Sequence, residues 1–113
     1  MLILFDHGTP APLQSFLKGH TVLEAKAQGW DTFGNGELLG AAEAAGFEVL
    51  VTTDKNMRYQ QNLPGRKIAI VVLGYPQWPV LRRYITHVVA AVNAATPGPY
   101  TVSARWIAVT GRQ

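Results

Sequence analysis

Three unbroken apolar runs constrain this chain most: "LILF" at 2–5, "VLVTT" at 49–53 and "IAIVVL" at 68–73. A strand with one wet face alternates apolar and polar residues, whereas a run without alternation belongs to a strand covered on both faces, as at the centre of a parallel sheet. Parallel neighbours need long crossovers, and the intervening sequence has helical character. "PAPLQSFLKG" opens on prolines and ends at Gly19, and "NGELLGAAEAAG" places Asn35 as N-cap and Gly46 as C-cap. "NMRYQQNLPG" reads as a short helix stopped by Pro64 and Gly65. "WPVLRRYITHVVAAVNAA" reads as the longest helix, with Val80, Leu81, Tyr84, Val88, Ala91 and Val92 near a 3.6-residue period. "HTVLEA" supplies a second strand, and "PYTVSARWIAV" alternates Val102, Ala104, Trp106 and Ala108 as a half-exposed edge strand. The expected order is βαβαβαβαβ, an open α/β sheet in one domain over residues 1–113.

A chain that is 48% hydrophobic and 15% charged is too apolar to stay disordered and too mixed for a membrane span. "MLILF" lacks the basic leader and cleavage site of a signal peptide, and with no cysteine there is neither disulfide nor thiolate metal ligand. The expectation is a soluble, cytoplasmic protein without a membrane partner. The net charge of +3 hides a segregation. Residues 1–54 hold all seven acids against Lys18 and Lys26, giving 2 − 7 = −5, and residues 55–113 hold eight Lys/Arg and no acid, giving +8. A basic half beside an acidic one points to a polyanionic partner or an acidic protein.

In open parallel sheets ligands bind outside the carboxyl ends of the strands. Asp6 directly follows the first apolar run and Asp54 the one at 49–53, so both share one rim if those strands are neighbours. Glu37 lies in the first turn of the helix expected from Asn35. Each acid has an ordinary explanation: Asp6 can order a turn, Asp54 can cap the next helix, and Glu37 can favour its helix dipole. Taken together, three carboxylates on one edge call for a cation or shared protons, and hard oxygen donors suit Mg²⁺ or Mn²⁺.

The stretch "FDHGTP…GHTV…GWDTFGNGELLGAAEAAGFEVLVTTDKNMRYQQNLPGRKIAIVVL", nearly all of residues 2–73, resembles a PIN-like group of bacterial proteins read as metal-dependent nucleases. The combination of "NGELL", "TTDKN" and "YQQNL" at this spacing carries the resemblance. It implies a three-layer α/β/α sandwich with a mostly parallel sheet, and RNA cleavage with Mg²⁺ or Mn²⁺ held by Asp6, Glu37 and Asp54. It further implies a role as the toxin of a toxin–antitoxin pair, with an acidic antitoxin-like protein as partner. The chain departs from the family pattern at Asn56 and Asn35, where relatives often carry acids. An amide at Asn56 can still ligate a metal, but fewer formal charges imply weaker binding and a single ion.

Around the acids, His7 and Arg58 are candidates for phosphate contacts and Tyr59 for stacking on a base. Lys55 and Asn35 complete the expected substrate-binding set. The competing reading is a catalytically weak PIN-like module that binds nucleic acid or a protein. A phosphoacceptor domain fits less well, because Asp6 is followed by His7 rather than a second acid and "VVLGYP" supplies no lysine. The exposed edge of "TVSARWIAV" makes a homodimer a further expectation.

Overall fold

The computed structural model describes residues 1–54 and 67–95 and the backbone of 106–109. Its strands are β1 (Leu2–Phe5), β2 (Thr21–Glu24), β3 (Val49–Thr52), β4 (Ala69–Leu73) and β5 (Trp106–Val109). They form one sheet in the order β2-β1-β3-β4-β5, and every neighbouring pair is parallel. The three apolar runs occupy its centre, as their lack of alternation requires: β3 and β4 are buried at every position, and Ile3, Leu4 and Phe5 are buried in β1. The last strand lies at an edge, as expected. Val102 and Ala104, which the alternation also used, lie outside the described residues.

Side chains of a strand point alternately to its two faces, and the core divides accordingly. Ile3, Phe5, Val49, Val51, Val71 and Leu73 belong to one apolar cluster, and Leu4, Leu50, Ile70 and Val72 to the other. The first cluster is covered by Leu13 of a 3-10 helix (Ala11–Phe16) and by Leu81, Val88 and Val92 of α2 (Trp78–Leu81) and α3 (Ile85–Ala94). The second is covered by Leu38, Leu39 and Ala42 of α1 (Asn35–Ala44). The protein is therefore an α/β fold with helices on both faces of a parallel sheet, compatible with α/β/α layering.

Three local expectations are corrected. "PAPLQSFLKG" forms a 3-10 helix rather than an α-helix. The "WPVLRRYITHVVAAVNAA" helix is interrupted at Arg82–Tyr84 by a 3-10 turn, where Tyr84 leaves helical backbone angles and stacks on Tyr75 at 5.5 Å. Gly34, not Asn35, is the N-cap of α1; Asn35 is the first helical residue and its Nδ2 donates to Asp54. At the other end of α1, Ala45 is the cap and Gly46 follows it with φ +90°. The Gly46 N–H donates to Glu43 O and the Phe47 N–H to Ala42 O, the paired bonds of a Schellman turn that only a left-handed residue closes cheaply.

Two acids close the amino edge of the sheet. Glu48 Oε1 accepts the Leu2 N–H at 2.9 Å, and Glu43 Oε2 accepts the Ile68 N–H at 3.2 Å and the Lys67 N–H. They serve strand starts and lie at the opposite end from Asp6 and Asp54. No helix of the described residues is long and apolar enough to cross a membrane.

Candidate functional site

The strand order makes β1 and β3 neighbours, with Ile3 opposite Val49, Leu4 opposite Leu50 and Phe5 opposite Val51. The chain passes from β1 outward to β2 on one side and to β3, β4 and β5 on the other, so the β1/β3 seam is the topological switch point where open α/β sheets bind ligands. Continuing the register by one residue sets Asp6 beside Thr52. Residues 4 and 6 share a face, as do 50, 52 and 54. Asp6, Thr52 and Asp54 therefore belong with Leu4 and Leu50 on the face covered by α1.

Thr52 joins the two acids. It is fully buried, the sole polar residue in the core of the described residues, and a buried hydroxyl must find partners. Its Oγ1 donates to Asp6 Oδ2 at 2.7 Å and accepts the Asp54 N–H at 3.0 Å. One hydroxyl thus orients the Asp6 carboxylate and pins the backbone that carries Asp54. Asp6 Oδ1 accepts the backbone N–H of His7 at 2.7 Å, so both oxygens of Asp6 are held by donors. Asp54 Oδ2 accepts Asn35 Nδ2 at 3.0 Å, which ties the start of α1 to the end of β3. Both carboxylates are half-buried, on the boundary between core and solvent.

The loop after β1 is fastened to the same seam. The Asp6 N–H donates to Val51 O at 2.9 Å, and the Thr9 N–H closes a turn on Asp6 O at 3.1 Å. Thr9 Oγ1 donates to Val51 O at 3.0 Å. Between them Gly8 has φ +89°, and a Cβ there would stand 3.2 Å from Thr53 Oγ1. The loop lies so close over the end of β3 that a left-handed glycine is needed to make the bend.

Of the residues expected from sequence, Asp6, Asp54 and Asn35 come together. The His7 side chain is exposed at the loop tip. Glu37 is in the first turn of α1, also exposed, and among the described residues no hydrogen bond or ion pair joins it to Asp6 or Asp54. Among those residues no group of three or more His, Cys, Asp or Glu side chains is placed to hold a metal ion. Lys55, Asn56, Arg58 and Tyr59 lie outside the described residues, as does the helix expected over "NMRYQQNLPG". Arg82 and Arg83 are exposed in the 3-10 turn between α2 and α3.

Thr52 and Thr9 are the residues that sequence reasoning passed over. The signal for Thr52 was present: a threonine two positions after Leu50 and two before Asp54, at the end of a run buried on both faces, must bury its hydroxyl against something polar. Comparison with protein-family models, with curated proteins and with solved structures finds no match to this chain.

Proposed function

We propose that this chain is a PIN-like, metal-dependent endoribonuclease whose centre lies on the β1/β3 rim. The observation that supports it is the Asp6–Thr52–Asp54 linkage, in which one buried hydroxyl orients the Asp6 carboxylate and pins the backbone that carries Asp54 at the switch point of a parallel sheet. Their oxygens are the hard donors that Mg²⁺ or Mn²⁺ prefers. Asp6 and Asp54 would hold the ion, with Glu37 entering from the first turn of α1 and Asn56 from the segment after Asp54. When bound, the ion supplies charge neutralisation at the scissile phosphate and an activated water.

The protein's own residues set the geometry. Thr52 and the His7 amide keep Asp6 from rotating, and Asn35 orients Asp54. Single-stranded RNA is the substrate that a basic half containing Lys55, Arg58 and Tyr59 would grip, with His7 exposed beside Asp6. The toxin role in a toxin–antitoxin pair belongs to the same proposal and rests on resemblance alone.

A second reading has its own observation. Asn35 donates to Asp54 where an acid would demand a cation, so this edge is partly satisfied without metal, as in a binding module that has lost catalysis. Cleavage of labelled single-stranded RNA with and without Mg²⁺ or Mn²⁺ separates the two. The nuclease reading expects metal-dependent cleavage that Asp6→Asn and Asp54→Asn each abolish while the circular dichroism spectrum stays folded, with Glu37→Gln milder. RNA binding without cleavage at any metal concentration supports the module.

A further inference from the structure

The register between β3 and β4 pairs Thr52 with Val72, so its continuation sets Gly74 beside Asp54, about 4.8 Å away across the paired strands. Tyr75 is the next residue. It packs against the first apolar cluster with Val71 and Leu73, so it flanks the rim from the face opposite α1. The Tyr84 ring stacks on it, with centroids 5.5 Å apart and planes 18° from parallel. Both tyrosines are half-buried, so the stacked pair still meets water.

The backbone departs from helix to make this pair. Tyr84, with φ −116° and ψ 24°, ends the 3-10 turn Arg82–Tyr84 between α2 and α3. A 3-10 stretch inside a longer helix has poorer hydrogen-bond geometry than the turns it replaces and often marks a functional position. The turn lies toward the carboxyl edge of the sheet: α2 begins at Trp78, shortly after β4 ends at Leu73, whereas Asn93 near the far end of α3 meets His20 at 2.8 Å, just before β2 starts. Leu81 is fully buried, and Arg82 and Arg83 after it are exposed. Residues 55–113 contain no acid to neutralise them. The rim thus carries, one strand beyond the Asp54 carboxylate, a stacked aromatic pair and two guanidinium groups.

Ring faces and guanidinium groups side by side match a nucleobase and its phosphates. A duplex hides the faces of its bases against one another, so only an unpaired base can extend the tyrosine stack. An extended single strand can also cross the sheet edge from the α1 face to the face that Tyr75 occupies. We propose that Tyr75 and Tyr84 form a base-stacking subsite, with Arg82 and Arg83 on the adjoining phosphates, that restricts the rim to unpaired RNA. This rests on the nuclease reading for the chemistry at Asp6 and Asp54, while the binding step itself needs no metal.

The test is fluorescence anisotropy of a short labelled single-stranded RNA in chelator, beside an abasic strand and a duplex of the same length. The abasic strand and the duplex should each bind at least about tenfold more weakly, although a purely electrostatic surface would favour the more highly charged duplex. Tyr84→Leu, which keeps apolar bulk and removes the ring, should weaken the single strand about tenfold and leave the abasic strand unchanged, and Tyr84→Phe should stay within about twofold of the parent. Arg82→Ala with Arg83→Ala should flatten the log–log salt slope by about 1.4, two contacts at about 0.7 each. Equal affinity of the parent for the single strand and either control overturns the proposal, and that comparison needs no variant to fold. Tyr84→Leu within about twofold of the parent, with folding checked by circular dichroism, overturns it as well. Added Mg²⁺ or Mn²⁺ separates the two readings: a parent that cleaves RNA without these binding differences removes the subsite alone, and one that shows them without cleaving removes the nuclease alone.

Discussion

Replacing Thr52 by valine tests the linkage at the rim while nearly preserving shape. The change removes the 2.7 Å bond from a buried hydroxyl to the Asp6 carboxylate, and a hydrogen bond to a charged group contributes about 1.5–3 kcal/mol. It also leaves the Asp54 N–H without its acceptor. Asp54 is half-buried and water can reach that amide, so the lower end of the penalty applies, about 1 kcal/mol. Against these stands a methyl in place of a hydroxyl at a fully buried site, worth about 0.8 kcal/mol. The net loss is about 2–3 kcal/mol. With an unfolding entropy of about 2.1 cal/mol/K per residue over 113 residues, that corresponds to a fall in Tm of roughly 8–13 °C. Thermal and urea unfolding without added metal measure it. Thr52→Ser keeps both bonds and loses one methyl, so it should cost only about 1 kcal/mol. A double-mutant cycle of Thr52→Val with Asp6→Ala should show a coupling of about 1–2 kcal/mol. A Thr52→Val variant within about 0.5 kcal/mol of the parent, or a cycle that is simply additive, would refute the reasoning, because the hydroxyl would then do nothing that a methyl cannot.

Four further outcomes are expected. Asp6→Asn should lower metal-free stability by at least about 1 kcal/mol, because one of the two acceptor oxygens becomes an NH₂ donor and the bond that remains loses its charge assistance; urea unfolding reads this. Asn35→Asp should be destabilising without metal, since it sets a second carboxylate against Asp54 and removes the 3.0 Å bond, and Mg²⁺ or Mn²⁺ should raise its Tm more than that of the parent. A Tm response to metal no larger than the parent's would count against a cation site at this rim. Gly8→Ala should cost roughly 1–2 kcal/mol in urea unfolding, from a left-handed backbone and the approach to Thr53 Oγ1. Glu43→Ala should cost about 1–3 kcal/mol by stripping the acceptor from the N–H of the buried Ile68, and the loss should appear as faster amide exchange at the start of β4.

Much of the fold could be read from residue pattern because burial on both faces leaves a local imprint. Each of "LILF", "VLVTT" and "IAIVVL" became a strand in the sheet interior, and the second strand and the edge position of the last also followed from the chain. Where pattern misled, the departure coincides with an interaction that the local sequence does not show. The 78–94 segment keeps its apolar period through Leu81, Val88 and Val92, yet its helix breaks at Arg82–Tyr84, where Tyr84 stacks on Tyr75. Asn35 has the composition of a cap, but Gly34 holds that position and Asn35 Nδ2 donates to Asp54, nineteen residues away.

The site divides in the same way. Sequence alone established that Asp6 and Asp54 end two interior strands, since an acid that stops an apolar run must lie where the sheet meets water. It could not establish that those strands are neighbours, because pairing order depends on how crossovers pack over both faces of the sheet. Only the tertiary structure decided that β1 lies beside β3, and that the next residue in register is a threonine whose buried hydroxyl links the Asp6 carboxylate to the Asp54 backbone N–H. Tertiary structure likewise sorted the acids, which look alike in the sequence: Glu43 and Glu48 satisfy strand amides at the amino edge, and Asp6 and Asp54 meet at the carboxyl edge. The physical reason is range. Burial and backbone propensity act within a few residues and are written locally, whereas a hydrogen bond between positions forty-six apart, as from Thr52 to Asp6, exists only after the sheet has brought their strands together.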